Sequence, residues 1–109
     1  MEITLLFDYY GELLTKRQQE IVNLYYIHDL SLGEIAEKLE VSRQCVYDHL
    51  QRAEKALHDY ENDLGLVKKF KQFREKLNDI DEIIKNSVLT DHNIRKKLIK
   101  KINEIKTQF

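Results

Sequence analysis

Cys45 and His49 stand one helical turn apart, the spacing at which a thiolate and an imidazole on one face can share a metal ion. A closed zinc site needs four ligands, and the other histidines, His28, His58 and His92, are scattered with no partner at ligand spacing. The pair reads as the border of a packed stripe. Asp8, Glu12 and Glu20 could exchange protons with a substrate, but nothing around them in the sequence supplies the burial that acid–base catalysis uses. The chain has no glycine-rich phosphate loop and no ordered serine–histidine–aspartate set. A short helical protein also has little interior in which to build a preorganised pocket. The expectation is a protein that is not an enzyme, with no metal and no cofactor.

A second constellation belongs to recognition rather than catalysis. In SLGEIAEKLEVSRQCVYDHLQRAEKAL, residues 31–57, Ser31 and Glu34 have the spacing of a capping box that opens a helix. Leu32, Ile35, Ala36 and Leu39 form its inner face, and Ala36 is small where a second helix must cross. Leu39 and Val41 fill the space under the turn, Ser42 caps the next helix, and Val46 and Leu50 anchor it. This is the pattern of a helix-turn-helix. Glu40 occupies the place where such a turn favours glycine, at a penalty of about 1 kcal/mol if its φ is positive.

With Val46, Leu50, Ala53 and Leu57 facing inward, the opposite face of the second helix carries Gln44, Asp48, Gln51, Arg52 and Lys55. Arg43 sits at its N-terminus and Tyr47 off the main stripe, placed to pack on the first helix or touch a partner. The candidate nucleic-acid contacts are therefore Ser42, Arg43, Gln44, Tyr47, Asp48, Gln51 and Arg52. Glutamines 44 and 51 suit adenine edges, and Arg43 suits guanine.

Charge argues against a simple DNA reader. Residues 1–64 hold six basic and thirteen acidic side chains, a net of −7, whereas residues 65–109 hold twelve basic and six acidic, a net of +6. Phosphate neutralisation supplies most affinity for DNA, so the acidic half repels what its motif would read. The basic half carries two candidate strips for an anionic partner. One is Lys68, Lys69, Lys71 and Arg74, and the other is Arg95, Lys96, Lys97, Lys100 and Lys101. Such strips also serve simply as solvated helix faces, or as a complement to the acidic half.

The elements that must position these groups are all helical. The chain has no proline and only three glycines, which disfavours hairpin-rich β folds. The spacing predicts a short helix over residues 3–10, then one capped by Thr15 with Ile21, Leu24, Tyr25 and His28 on a single face. Tyr9, Tyr10, Tyr25, Tyr26 and Phe7 read as core and rim anchors. The helix after Ser42 extends its stripe through Tyr60 and Leu64, and Gly65 can end it in a left-handed conformation. Leu66, Phe70, Phe73, Leu77, Ile80 and Ile84 then step as a heptad seam, able to pair two chains through residues 66–84. Thr90 can cap a last helix bearing Ile94, Leu98, Ile102 and Ile105. The expected organisation is an acidic helix-turn-helix lobe at 1–64 and a basic amphipathic helical extension at 65–109.

No apolar stretch approaches the roughly 18 residues of a membrane span. The absence of a basic-then-apolar leader and the single cysteine, Cys45, fit a cytoplasmic setting.

The blocks LLFDYYGELLTKRQQEIVNLYY, DLSLGEIAEKLEVSRQCVYDHLQRAEKAL and DYENDLGLVKKFK resemble the YlxM family of small bacterial proteins, over roughly residues 5–74. The helix-turn-helix of that family is similar to region 4 of sigma factors. Cys45 stands where the family usually has alanine, a small-for-small exchange. From gene neighbourhood, the resemblance implies a regulatory role in the signal recognition particle pathway, with the particle's RNA or its GTPase as partner. The rival expectation is a DNA-binding transcription regulator, and a third is a homodimeric interaction protein.

Overall fold

Four helices of the chain open on a nearby side chain that takes up free backbone N–H groups. The computed structural model describes residues 1–86 and 91–107. The helices are α1 (Ile3–Tyr10), α2 (Lys16–Val22), α3 (Leu32–Leu39), α4 (Arg43–Leu64), α5 (Leu66–Asn86) and α6 (His92–Lys106), and no strand occurs among the described residues. Thr15 Oγ1 accepts from the Gln18 N–H at 3.2 Å while Gln18 Oε1 accepts from the Thr15 N–H at 3.0 Å, so α2 starts with a full capping box. Ser31 and Glu34 form the same reciprocal pair at α3. Ser42 Oγ accepts from the Cys45 N–H at 3.0 Å to open α4. For α6 the cap is Asp91, whose carboxylate accepts from the Asn93 and Ile94 N–H groups. Thr90, the residue favoured by sequence for that role, lies outside the described residues.

The helix ends are equally local. Glu40 takes up φ 57° and ψ 44°, and its N–H and that of Val41 return to the carbonyls of Glu37 and Ala36. This pair of bonds closes α3 in a Schellman turn with glutamate in the left-handed position. Gly65, at φ 63°, ends α4 through a 2.8 Å bond to the Glu61 carbonyl. One expected regularity breaks. The helix after Thr15 does not continue with its four-residue spacing but widens into a π turn over Asn23–Ile27. The extra residue keeps Leu24 buried and leaves His28 exposed, so His28 does not share the apolar face. Tyr25 and Tyr26 are both half-buried, ring edge to ring face at 4.9 Å.

The chain divides into two compact units, Met1–Val67 and a second beginning at Lys68. In the first, α4 is the central strut against which α1, α2 and α3 pack. Leu6, Tyr10, Ile21, Val22, Ile35, Val46, Ala53 and Leu57 are fully enclosed. Burying each large apolar side chain of this kind contributes about 1.5–3 kcal/mol. The unit runs through Val67 because Val67 belongs to this core.

In the second unit, α5 and α6 bury Ile102 and Asp81. Asp81 Oδ2 accepts from Lys85 Nζ at 3.0 Å and Lys106 Nζ at 3.4 Å, tying α5 to α6. The remaining stripe is only partly covered: Phe73, Ile80, Ile94, Leu98 and Ile105 keep much of their surface exposed.

Candidate nucleic-acid interface

Helices α3 and α4 form the helix-turn-helix, with Ile35 and Ala36 buried against Val46 and Leu50. The outward face of α4 carries the candidate readers, and the structure sorts them by what each is already doing. Ser42 is committed to capping through its hydroxyl. Gln44 Nε2 donates to Asp48 Oδ1 at 2.9 Å, so the amide meant for an adenine edge is held by the carboxylate one turn along. That bond also places the negative charge of Asp48 beside the N-terminal end of the reading face. Gln51 and Arg52 are exposed farther along. Tyr47 is 45% exposed and is not one of the buried core residues of the lobe. Lys55 pairs with Asp59 at 2.7 Å, and this hydrogen bond raises the Lys55 pKa.

Arg43 does not extend from the N-terminus of α4 as a base reader would. Its guanidinium lies back across α3 at Gly33. A Cβ built on Gly33 would stand 2.8 Å from Arg43 Nη2 and 3.0 Å from both Cζ and Nε. Three near-equal distances put the flat group over the glycine, not its tip against it. Sequence reasoning did not single out Gly33. Its signal was there, since glycine inside a helix gives up about 0.5–1 kcal/mol relative to alanine and calls for a packing reason.

Cys45 and His49 are both half-buried at the margin of the α4 stripe, and no group of three or more metal-ligating side chains gathers among the described residues. Asp8, Glu12 and Glu20 line one open groove of about 580 Å³ with Lys16 and Phe7. The first unit thus presents an acidic concavity lined by α1 and α2.

The basic residues of the second unit also divide. Lys68, Lys69, Lys71 and Arg74 are exposed on α5. On α6, Arg95 is half-buried and donates to the Lys85 carbonyl, so it serves the α5–α6 connection and drops out of the expected strip. Lys96, Lys97, Lys100 and Lys101 are exposed, and no ion pair engages them among the described residues. They follow the helix at i, i+4 spacing opposite Ile102, which is buried.

An all-helical lobe built around a capped α3–α4 pair defines a helix-turn-helix protein. A family described as "Putative helix-turn-helix protein, YlxM / p13 like" matches residues 1–105, and the chain belongs to this family, UPF0122. A UPF0122 protein of Caldanaerobacter subterraneus subsp. tengcongensis is 55% identical over 82 residues, covering 75% of this chain and 70% of the relative. A UPF0122 protein of Thermoanaerobacter sp. is 46% identical over 103 residues, covering 94% of this chain and 86% of the relative. One from Listeria welshimeri is 56% identical over 75 residues, covering 69% of this chain and 67% of the relative. No helix among the described residues is long and apolar enough to cross a membrane.

Proposed function

We propose that this protein is a non-enzymatic regulator of the signal recognition particle pathway, acting in the cytoplasm by binding the particle's RNA or its protein. The observation that carries this reading is the row of four exposed lysines on α6, Lys96, Lys97, Lys100 and Lys101, with no ion pair among the described residues. A row of this kind suits a phosphate backbone. The acidic first unit suits the opposite partner. Its groove at Asp8, Glu12 and Glu20 complements a basic protein surface, such as the RNA-binding GTPase the resemblance implies. The pathway itself rests on the resemblance to the YlxM family.

The test is capture of partners from bacterial extract by the full chain, with and without ribonuclease, followed by titration with purified particle RNA. The expected result is retention of particle components, with RNA affinity lost when the four lysines become glutamine. Undiminished RNA binding by that variant, or no particle component retained in either arm, overturns the reading.

A second reading, sequence-specific DNA binding through the helix-turn-helix, is favoured by the exposure of Gln51, Arg52 and Tyr47 on α4. It is opposed by Asp48 on the same face and by the acidity of the whole unit. Homodimerisation through the seam at residues 66–84 draws support from the exposed surface of Phe73 and Ile80, and light scattering across a concentration series tests it. A monomer at every concentration excludes it.

A further inference from the structure

We infer that Gly33 and Arg43 together form a seat for one backbone phosphate of a nucleic-acid strand, a contact that senses charge and geometry but not base sequence. This goes beyond the lysine row of α6, since it rests on the helix-turn-helix alone.

In a docked helix-turn-helix the first helix crosses the nucleic-acid backbone while the second enters the groove. Arg43 belongs to the second helix by sequence, but its guanidinium rests on the first, at Gly33. It therefore lies on the side where phosphates run, turned away from the base edges that its position at the start of α4 would otherwise reach.

The acidic unit holds thirteen carboxylates, and two of its other long cations pair with them: Arg17 approaches Glu20 at 3.7 Å and Lys55 approaches Asp59 at 2.7 Å. Arg43 is exposed, and no hydrogen bond or ion pair engages it among the described residues. Glu34, the carboxylate next to Gly33, is committed instead to the Ser31 backbone N–H at 3.1 Å.

With one face laid on glycine, the planar fork is set beside α3 and its N–H edges are left for a ligand. A fork so placed matches the paired oxygens of a phosphodiester. Any larger residue at position 33 would occupy the space the guanidinium uses. Gly33 is thus a positioning residue, and Arg43 is the residue that touches the ligand.

The experiment measures fluorescence anisotropy of the full chain with a labelled DNA duplex and a labelled double-stranded RNA hairpin, each of about two helical turns. Each probe is made in two unrelated sequences and titrated over a salt series. Arg43→Ala is expected to weaken binding about five- to tenfold on at least one kind of probe, equally for its two sequences, and to flatten the salt slope by about one. Arg43→Lys should recover part of the loss, because the charge remains without the fork. Gly33→Ala should weaken binding in the same way and add nothing when Arg43 is already alanine. Alanine is the better helix former, so far-UV circular dichroism should show α3 intact.

A loss confined to one sequence would put Arg43 on a base edge and overturn the seat. So would a Gly33→Ala variant that binds normally, or one whose effect adds in full to that of Arg43→Ala. No measurable binding to either probe also overturns it. A variant with the four α6 lysines changed to glutamine is run in parallel: if the Arg43 effect persists there while RNA affinity is unchanged, the lysine reading fails and the phosphate seat stands.

Discussion

The Tyr10 hydroxyl donates to Glu61 Oε1 at 2.6 Å and accepts from the Leu66 N–H at 3.1 Å. Glu61 Oε1 accepts in turn from the Val67 N–H at 3.0 Å. These bonds solve a problem that the sequence leaves open. Helix α5 begins directly after Gly65, so no serine, threonine or aspartate stands at its start to take the free N–H groups. A tyrosine from α1 and a glutamate from α4 do so across the fold. Burial and the Glu61 carboxylate both hold the Tyr10 pKa above its ordinary value, which keeps the hydroxyl a donor.

Removing that hydroxyl should therefore be felt at the start of α5. Tyr10→Phe is expected to lower unfolding stability by about 1–2 kcal/mol, since a charged acceptor loses its donor while the ring still fills the core. Urea denaturation measures this, and hydrogen exchange at Leu66 and Val67 should quicken in parallel. Unchanged exchange at those amides would mean that α5 is not held by this hydroxyl.

Glu40 adopts a left-handed conformation that favours glycine. Glu40→Gly should stabilise the first unit by about 0.5–1 kcal/mol, the relief of a strained side chain less the entropy glycine adds to the unfolded chain. Thermal denaturation decides it. A lowered midpoint would show that the glutamate side chain supports the turn in some other way.

The Tyr26 hydroxyl donates to Glu54, and burial followed by this bond pushes its pKa up. A pKa raised on folding contributes stability that is full below the ordinary value of 10.0 and is lost as pH rises through the folded value. Wild-type stability should consequently begin to fall more steeply above about pH 10, as the unfolded state alone ionises. Tyr26→Phe should be less stable at neutral pH and show a shallower alkaline decline. Equal alkaline slopes in the two proteins would count against the bond.

Asp81 gives the opposite sign. Its bond to Lys85 first, and then that to Lys106, hold the carboxyl below the ordinary 3.8 despite burial. Stability from a depressed carboxyl is present above the unfolded pKa and is lost as pH falls through the folded one. The α5–α6 unit should remain helical at pH 5 and loosen below about pH 4, and Asp81→Asn should flatten that acid limb while destabilising the unit at neutral pH. Circular dichroism across an acid titration reads both. An acid limb unaltered by the substitution would remove Asp81 from this role.

On the functional side, the four α6 lysines carry a quantitative expectation. Changing them to glutamine should reduce the slope of log K against log salt for RNA by about three, at roughly 0.7–0.9 for each phosphate left without its lysine. A slope unchanged within about one would place the RNA elsewhere on the protein.

Much of this was legible in the chain because it depends on near neighbours. Capping by Thr15, Ser31 and Ser42 joins residues three apart, and the stripe through Val46, Leu50, Ala53 and Leu57 follows from helical geometry alone. The left-handed backbone at Glu40 was likewise readable, since a turn of that length has few conformations. The π turn at Asn23–Ile27 was not, because apolar periodicity carries no mark of a local change in winding; within it, Tyr26 bonds to Glu54 of α4 across the fold.

The same divide runs through the candidate site. Residue types and spacing fixed which helix bears Gln44, Asp48 and Gln51 and which bears the lysines, as charge and periodicity are properties of the chain itself. Only the packed structure decided that Gln44 is tied to Asp48, that Arg95 serves a carbonyl, and that Arg43 folds back over Gly33. Side-chain direction depends on which backbone lies within reach, and that distance exists only after α3 and α4 have crossed.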